Sequence, residues 1–221
     1  MKAGVRKPAA ERREEILGAV CRIIGERGLA SLTTTVLAKE VGVTSGALFR
    51  HFASRDEILD GAVRHALEKI DATFPAPSLP PLERLLQLGR NRVALFQNEP
   101  GIAWLLRSEE ASLSLPPGAV ARLRELVQKS AGYLMDAIRE GMAAGTIRND
   151  IEPEHLRVIV MGTIHALAGM PGIHKNERGS RRKDPEPVLA ALARMLAAPQ
   201  ATRRTTTRKK PSTTKRPSKR R

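Results

Sequence analysis

Apolar residues recur along this chain at intervals of three and four, and no stretch alternates convincingly with period two. Ile16, Val20, Ile23 and Ile24 form one stripe over residues 10–27, the spacing that a 3.6-residue period turns into a helix face. Gly28 follows as a left-handed cap. Thr34 is placed to cap a second, short helix with Leu37, Ala38 and Val41 inward, and Gly42 ends it. Thr44 caps a third helix over residues 44–51, carrying Leu48 and Phe52 inward. Ser54-Arg55-Asp56-Glu57 has the spacing of a capping box. It starts a fourth helix that runs to about Thr73, with Ile58, Leu59, Ala62, Ala66 and Ile70 on its apolar face.

Prolines at 75, 77, 80 and 81 then interrupt the pattern. A fifth helix over 82–97 buries Leu85, Leu86, Val93 and Phe96, and Pro100 stops it. A short segment with Trp104, Leu105 and Leu106 follows, then a long helix over 119–144 with Leu123, Leu126, Leu134 and Ile138 inward. Pro153 opens an eighth helix at its tolerated first position, and Asp184-Pro185-Glu186 opens a ninth. The pattern predicts an all-α fold of nine or so helices. It divides the chain into a flexible basic arm (1–9), a three-helix helix-turn-helix domain with its following helix (10–74), a helical ligand-binding and dimerisation domain (75–198) and a tail (199–221).

The eighth helix is apolar almost all round from Leu156 to Gly169, as expected of a helix buried on more than one face. Gly162, Ala166 and Gly169 fall at i, i+4 and i+7 and clear room for close helix approach. With Leu189 and Leu192 of the ninth helix they predict the interface of a homodimer.

Charge changes the picture at one end. Of the formal +15, residues 203–221 carry ten Lys/Arg and no Asp/Glu, leaving +5 for residues 1–202. The tail, rich in Thr, Lys, Arg, Pro and Ser, cannot bury enough apolar surface to order itself. Such a charge favours polyanions. The single cysteine, Cys21, excludes an intrachain disulfide. The chain shows no signal-peptide pattern and no run apolar enough to span a bilayer, so a cytoplasmic protein without a membrane partner is expected.

A short helix pair around Gly42 is common in any helical bundle. What distinguishes this one is the outer face of the second helix, Thr44, Ser45, Ala47, Arg50 and His51, small and polar side chains suited to a major groove. The segment LTTTVLAKEVGVTSGALFRHFASRDEIL closely resembles the DNA-binding signature of the TetR family of one-component bacterial regulators. It shares the Thr-Thr opening, Leu-Ala in the first short helix, Gly-Val at the turn, Ser-Gly-x-Leu-Phe-x-His-Phe, and a basic residue before an acidic, Leu-rich helix. The match covers roughly residues 10–60. The resemblance implies that Thr34 caps its helix and meets a phosphate, and that Thr44, Ser45 and Ala47 read bases. Phe49 stands where the family usually has Tyr, without the phosphate-bonding hydroxyl, and Arg55 stands where Lys is common. Arg50 and His51 meet backbone or base, and Thr33 and Gly46 complete the implied DNA-facing set. It further implies a double-stranded operator, a homodimer, and a small-molecule effector that releases a repressor from DNA. The alternative from the composition is a nucleoid-associated or architectural protein that uses the basic tail.

The effector site is expected among helices five to eight, at Phe96, Trp104, Leu105, Tyr133, Met161 and His165. With aromatics at 3% of the chain, its walls are mostly aliphatic, favouring an apolar or amphipathic ligand. No catalytic set is present. There is no phosphate-binding Gly-rich loop and no His-Glu-x-x-His, and the histidines at 51, 65, 155, 165 and 174 lack metal-ligand spacing. The sequence therefore predicts neither an enzyme nor a cofactor or metal.

Overall fold

The computed structural model describes residues 8–169 and 184–199. Most of the expected arm and tail, and His174, lie outside the described residues. The described chain forms ten α-helices. They are α1 (Ala9–Arg27), α2 (Thr34–Glu40), α3 (Ser45–Leu48), α4 (Arg55–Asp71), α5 (Pro81–Asn98), α6 (Pro100–Arg107), α7 (Glu109–Ser114), α8 (Pro117–Ala143), α9 (Pro153–Leu167) and α10 (Glu186–Leu196). A 3-10 turn, Leu29–Ser31, links α1 to α2. Among the described residues there is no strand, only an isolated antiparallel bridge between Ile147 and Ala197. Its bonds, Arg148 N–H to Leu196 O at 2.8 Å and Ala198 N–H to Thr146 O at 3.2 Å, tie the end of α8 to the end of α10.

Two expectations change at the prolines and acids. Pro100 does end α5, but it also occupies the first turn of α6, where its missing N–H costs nothing. Glu109 and Glu110 open a separate short helix, α7, with both acids in its first turn.

Two apolar cores hold the helices. The first joins Ile16, Ile23 and Ile24 of α1 to Leu37, Leu48, Phe52 and Leu59, and continues through Ile102, Leu105 and Ala111 to Leu126 in the first half of α8. The second joins Leu85 and Leu88 of α5 to Leu134 and Ile138 of α8, Val160 and Ile164 of α9, and Leu189 and Leu192 of α10. The first core thus crosses residue 75, and α6 seats directly on α1. There, Gly101 lies against the backbone of α1. A Cβ on it would overlap the carbonyl oxygen of Cys21, and one on Gly25 would overlap the backbone of Gly101.

Candidate nucleic-acid interface

The helix-turn-helix is set by its caps. Thr33, not Thr34, is the N-cap of α2: its backbone is extended and its Oγ1 accepts from Val36 N–H at 3.1 Å. Thr34 is already helical and lies one position too late. Thr44 caps α3 as expected, its Oγ1 accepting from Ala47 N–H at 3.2 Å; such a cap contributes about 1 kcal/mol. The turn between them closes on Gly42 at φ 69°, a left-handed conformation that glycine adopts without strain. Val43 N–H then donates to Ala38 O at 2.9 Å.

The recognition segment is tighter than a helix over 44–51. Regular α-helix spans only Ser45–Leu48. Beyond it Arg50 N–H reaches Ala47 O at 3.3 Å and His51 N–H reaches Leu48 O at 2.9 Å, both i to i+3 bonds. Leu48 and Phe52 are fully buried beneath it. Arg13 of α1 holds its far end. One guanidinium nitrogen donates to His51 O and another to Glu57 Oε1 at 3.1 Å. The guanidinium carbon lies 4.2 Å from the Phe52 ring centroid. Glu57, in the first turn of α4, also accepts from Ala53 N–H at 2.6 Å, while Ser54 Oγ accepts from Glu57 N–H at 3.1 Å. The Ala53 N–H and then Arg13 hold the Glu57 carboxyl below its ordinary range.

The outer face is left open. Thr33, Thr44, Gly46, Phe49, Arg50 and Arg55 are exposed, and Thr34, Ser45, Ala47 and His51 are half-buried at its edge. Phe49 is 47% exposed, so it is not a core residue. A Cβ on Gly46 would meet nothing in the protein. Arg50 and Arg55 enter no ion pair among the described residues, unlike Arg12, Arg13, Arg22 and Arg27 of α1. Arg13 and its partners escaped the sequence reading because they lie 38 and 44 positions apart.

The expected effector residues separate. Phe96, Met161 and His165 line a cavity of about 140 Å³ between α5, α6, α8 and α9, together with Arg92, Ser130 and Arg157. Trp104 and Leu105 do not line it: Leu105 is buried in the first core and Trp104 packs against it. Tyr133 faces the other way, donating to Pro75 O at 3.0 Å, its ring edge-on to Phe74 with the ring centroids 5.0 Å apart.

The expected dimer residues separate too. Leu189 and Leu192 are 0% and 3% exposed in the protomer's own core, because α10 turns that stripe toward α5 and α9, so they cannot serve an interface. Gly162, Ala166 and Gly169 are exposed on the outer side. Val158 of α9 and Val188 and Met195 of α10 are exposed apolar side chains.

Residues 16–62 match the profile of bacterial regulatory proteins of the tetR family. Over 147 residues the chain is 26% identical to the HTH-type transcriptional repressor KstR2 of Mycolicibacterium smegmatis, spanning 65% of this chain and 71% of that one. Over 142 residues it is 41% identical to the nucleoid occlusion factor SlmA of Vibrio atlanticus, spanning 62% of this chain and 71% of that one. Its fold is similar to the crystal structure of AibR in complex with isovaleryl coenzyme A and operator DNA. That likeness has a TM-score of 0.68 at 18% identity and covers 84% of this chain and 98% of AibR. Among the described residues, no helix is long and apolar enough to cross a membrane.

Proposed function

The chain belongs to the TetR family of bacterial regulatory proteins, and we propose that it is a homodimeric, sequence-specific repressor of transcription whose operator binding is relieved by a small ligand. It acts in the cytoplasm on double-stranded DNA and works by binding rather than catalysis. The observation that carries the reading is the recognition segment. It is locked from below by Leu48, Phe52 and Arg13, and it leaves Thr44, Gly46, Phe49, Arg50 and Arg55 free.

In this reading Thr44, Ser45 and Ala47 meet base edges, with Gly46 allowing close approach. Thr33, Thr34, Arg50, His51 and Arg55 position the domain on phosphates, and Phe49 packs on a sugar. A homodimer presents two such helices to major grooves about 34 Å apart, or a multiple of that. Its interface is the outer face of α9 and α10, at Val158, Gly162, Ala166, Val188 and Met195. A ligand in the cavity touches α5, α6, α8 and α9. Those helices reach the DNA-binding domain through the shared first core and through Gly101 on α1, Arg122 with Asp60 of α4, Lys69 of α4 with Glu99 at 2.6 Å, and Lys129 with Asp71 of α4 at 2.8 Å. The ligand shifts the balance only by its different affinity for the two arrangements.

Selection of bound sites from random DNA, followed by salt titration on the selected and on random duplexes, tests this. We expect a near-palindromic site bound about a thousandfold or more tighter than random DNA at physiological salt; a ratio below about tenfold overturns the reading. The likeness to a nucleoid occlusion factor and the ten cations of residues 203–221 favour a second reading, a DNA-organising protein. It predicts many dispersed sites and no response to a small ligand.

A further inference from the structure

The cavity between α5, α6, α8 and α9 contains a cation that has no counter-charge among the described residues. Arg92 of α5 is 6% exposed. Its Nε donates to Thr73 Oγ1 at 2.6 Å and its Nη2 to Ser130 Oγ at 3.2 Å, and its guanidinium carbon lies 4.9 Å from the Phe74 ring centroid. All three partners are neutral. Asp71, whose field reaches Arg92, is itself paired with Lys129 at 2.8 Å. Arg157 of α9 lines the same cavity and, like Arg92, enters no ion pair among the described residues. Among the described residues, no Asp or Glu lines the cavity.

Burial draws the Arg92 pKa down to about 10, so the group stays charged at neutral pH. A buried cation with neutral partners keeps much of its desolvation penalty, which an anion in contact would offset. Apart from Ser130 and His165 the remaining wall is apolar, with Phe96, Leu126 and Met161. A volume of about 140 Å³ is close to the ~150 Å³ apolar cavity that accommodates benzene, which sets the size of the apolar part.

We propose that this cavity binds a small organic anion, a carboxylate or phosphate monoester on an apolar body of about six carbons, with Arg92 and Arg157 holding the head. The proposal rests on the ligand-responsive reading above and gives its ligand a chemical class. The Arg92 N–H groups not donated to Thr73 and Ser130, together with the guanidinium of Arg157, supply charged donors to either head. Phe96 and Met161 cover the body.

Isothermal titration of the full-length protein with hexanoate, hexyl phosphate and 1-hexanol tests the proposal. At least one anion should bind about tenfold or more tighter than the alcohol. That preference should fall toward one in Arg92→Met and in Arg157→Met. The two anions differ in the head alone, so the tighter one assigns it. Arg157 is half-buried, so Arg157→Met keeps the test open if Arg92→Met does not fold. The proposal is overturned if neither anion binds, if the alcohol binds as tightly as both, or if the folded variants keep the wild-type preference. Site selection on ligand-free protein is scored separately. A selected DNA site without anion binding removes this proposal alone. Anion binding without a selected site removes the regulator instead.

Discussion

A four-residue helix does not persist by itself, so the reading surface depends on single side chains outside it. Arg13 is one. It joins the His51 carbonyl, the Phe52 ring and the Glu57 carboxylate, fixing the end of the recognition segment to the start of α4. Glu57 completes the link by accepting from Ala53 N–H. Because its folded pKa is depressed, Glu57 stabilises the fold fully above the ordinary carboxylate value. That contribution disappears as pH falls through the lower folded value. Thermal denaturation of the wild type and Glu57→Gln between pH 6 and pH 3, a range set at about the carboxylate pKa, should show a gap in Tm that is widest at pH 6 and closes toward pH 3. A gap independent of pH would show that the carboxylate charge plays no part. Thr33 teaches the limit of reading caps from sequence at this scale. With three threonines in a row, composition does not choose the cap, and only the backbone angles separate Thr33 from Thr34.

At the scale of elements, helix existence was legible and helix contact was not. The 3.6-residue stripes, the capping box at Ser54 and the prolines at helix starts place nearly every element of the described chain. They fail at α7, whose six residues are shorter than a periodicity can mark, and at α6, where Pro100 reads as a stop and also acts as a start. The seam between α1 and α6 was invisible, because neither Gly25 nor Gly101 disturbs a helical pattern. Yet this seam joins α6, and with it the helices around the cavity, to the helix-turn-helix. A side chain on Gly101 has to displace backbone rather than another side chain, since the nearest atoms belong to Cys21. Gly101→Val is therefore expected to cost about 2 kcal/mol or more, read as a lower urea midpoint, and to weaken operator binding by tilting α1. Wild-type stability in that variant would mean that α6 can slide along α1 without loss.

For the whole molecule, an apolar sequence pattern identifies which helices are buried on two sides but not which side meets which partner. That is why Leu189 and Leu192, assigned from sequence to the subunit interface, belong instead to the protomer's core, while Gly162 and Ala166 of the same expectation lie outside. The distinction yields opposite outcomes for substitutions on neighbouring residues of α10. Met195 is 55% exposed and Val158 of α9 is 59% exposed. Charging both, as Val158→Glu with Met195→Glu, places like charges on the patch proposed above to face a second copy, without touching either core. It should give a folded monomer by sedimentation velocity, with unchanged helical circular dichroism. That monomer should lose operator affinity by about a hundredfold or more, since half of the DNA contacts are lost. Leu192→Glu puts a charge into the second core and should instead unfold the protomer. A dimer that persists in the double variant would move the interface elsewhere, and with it the spacing of the two recognition helices on DNA.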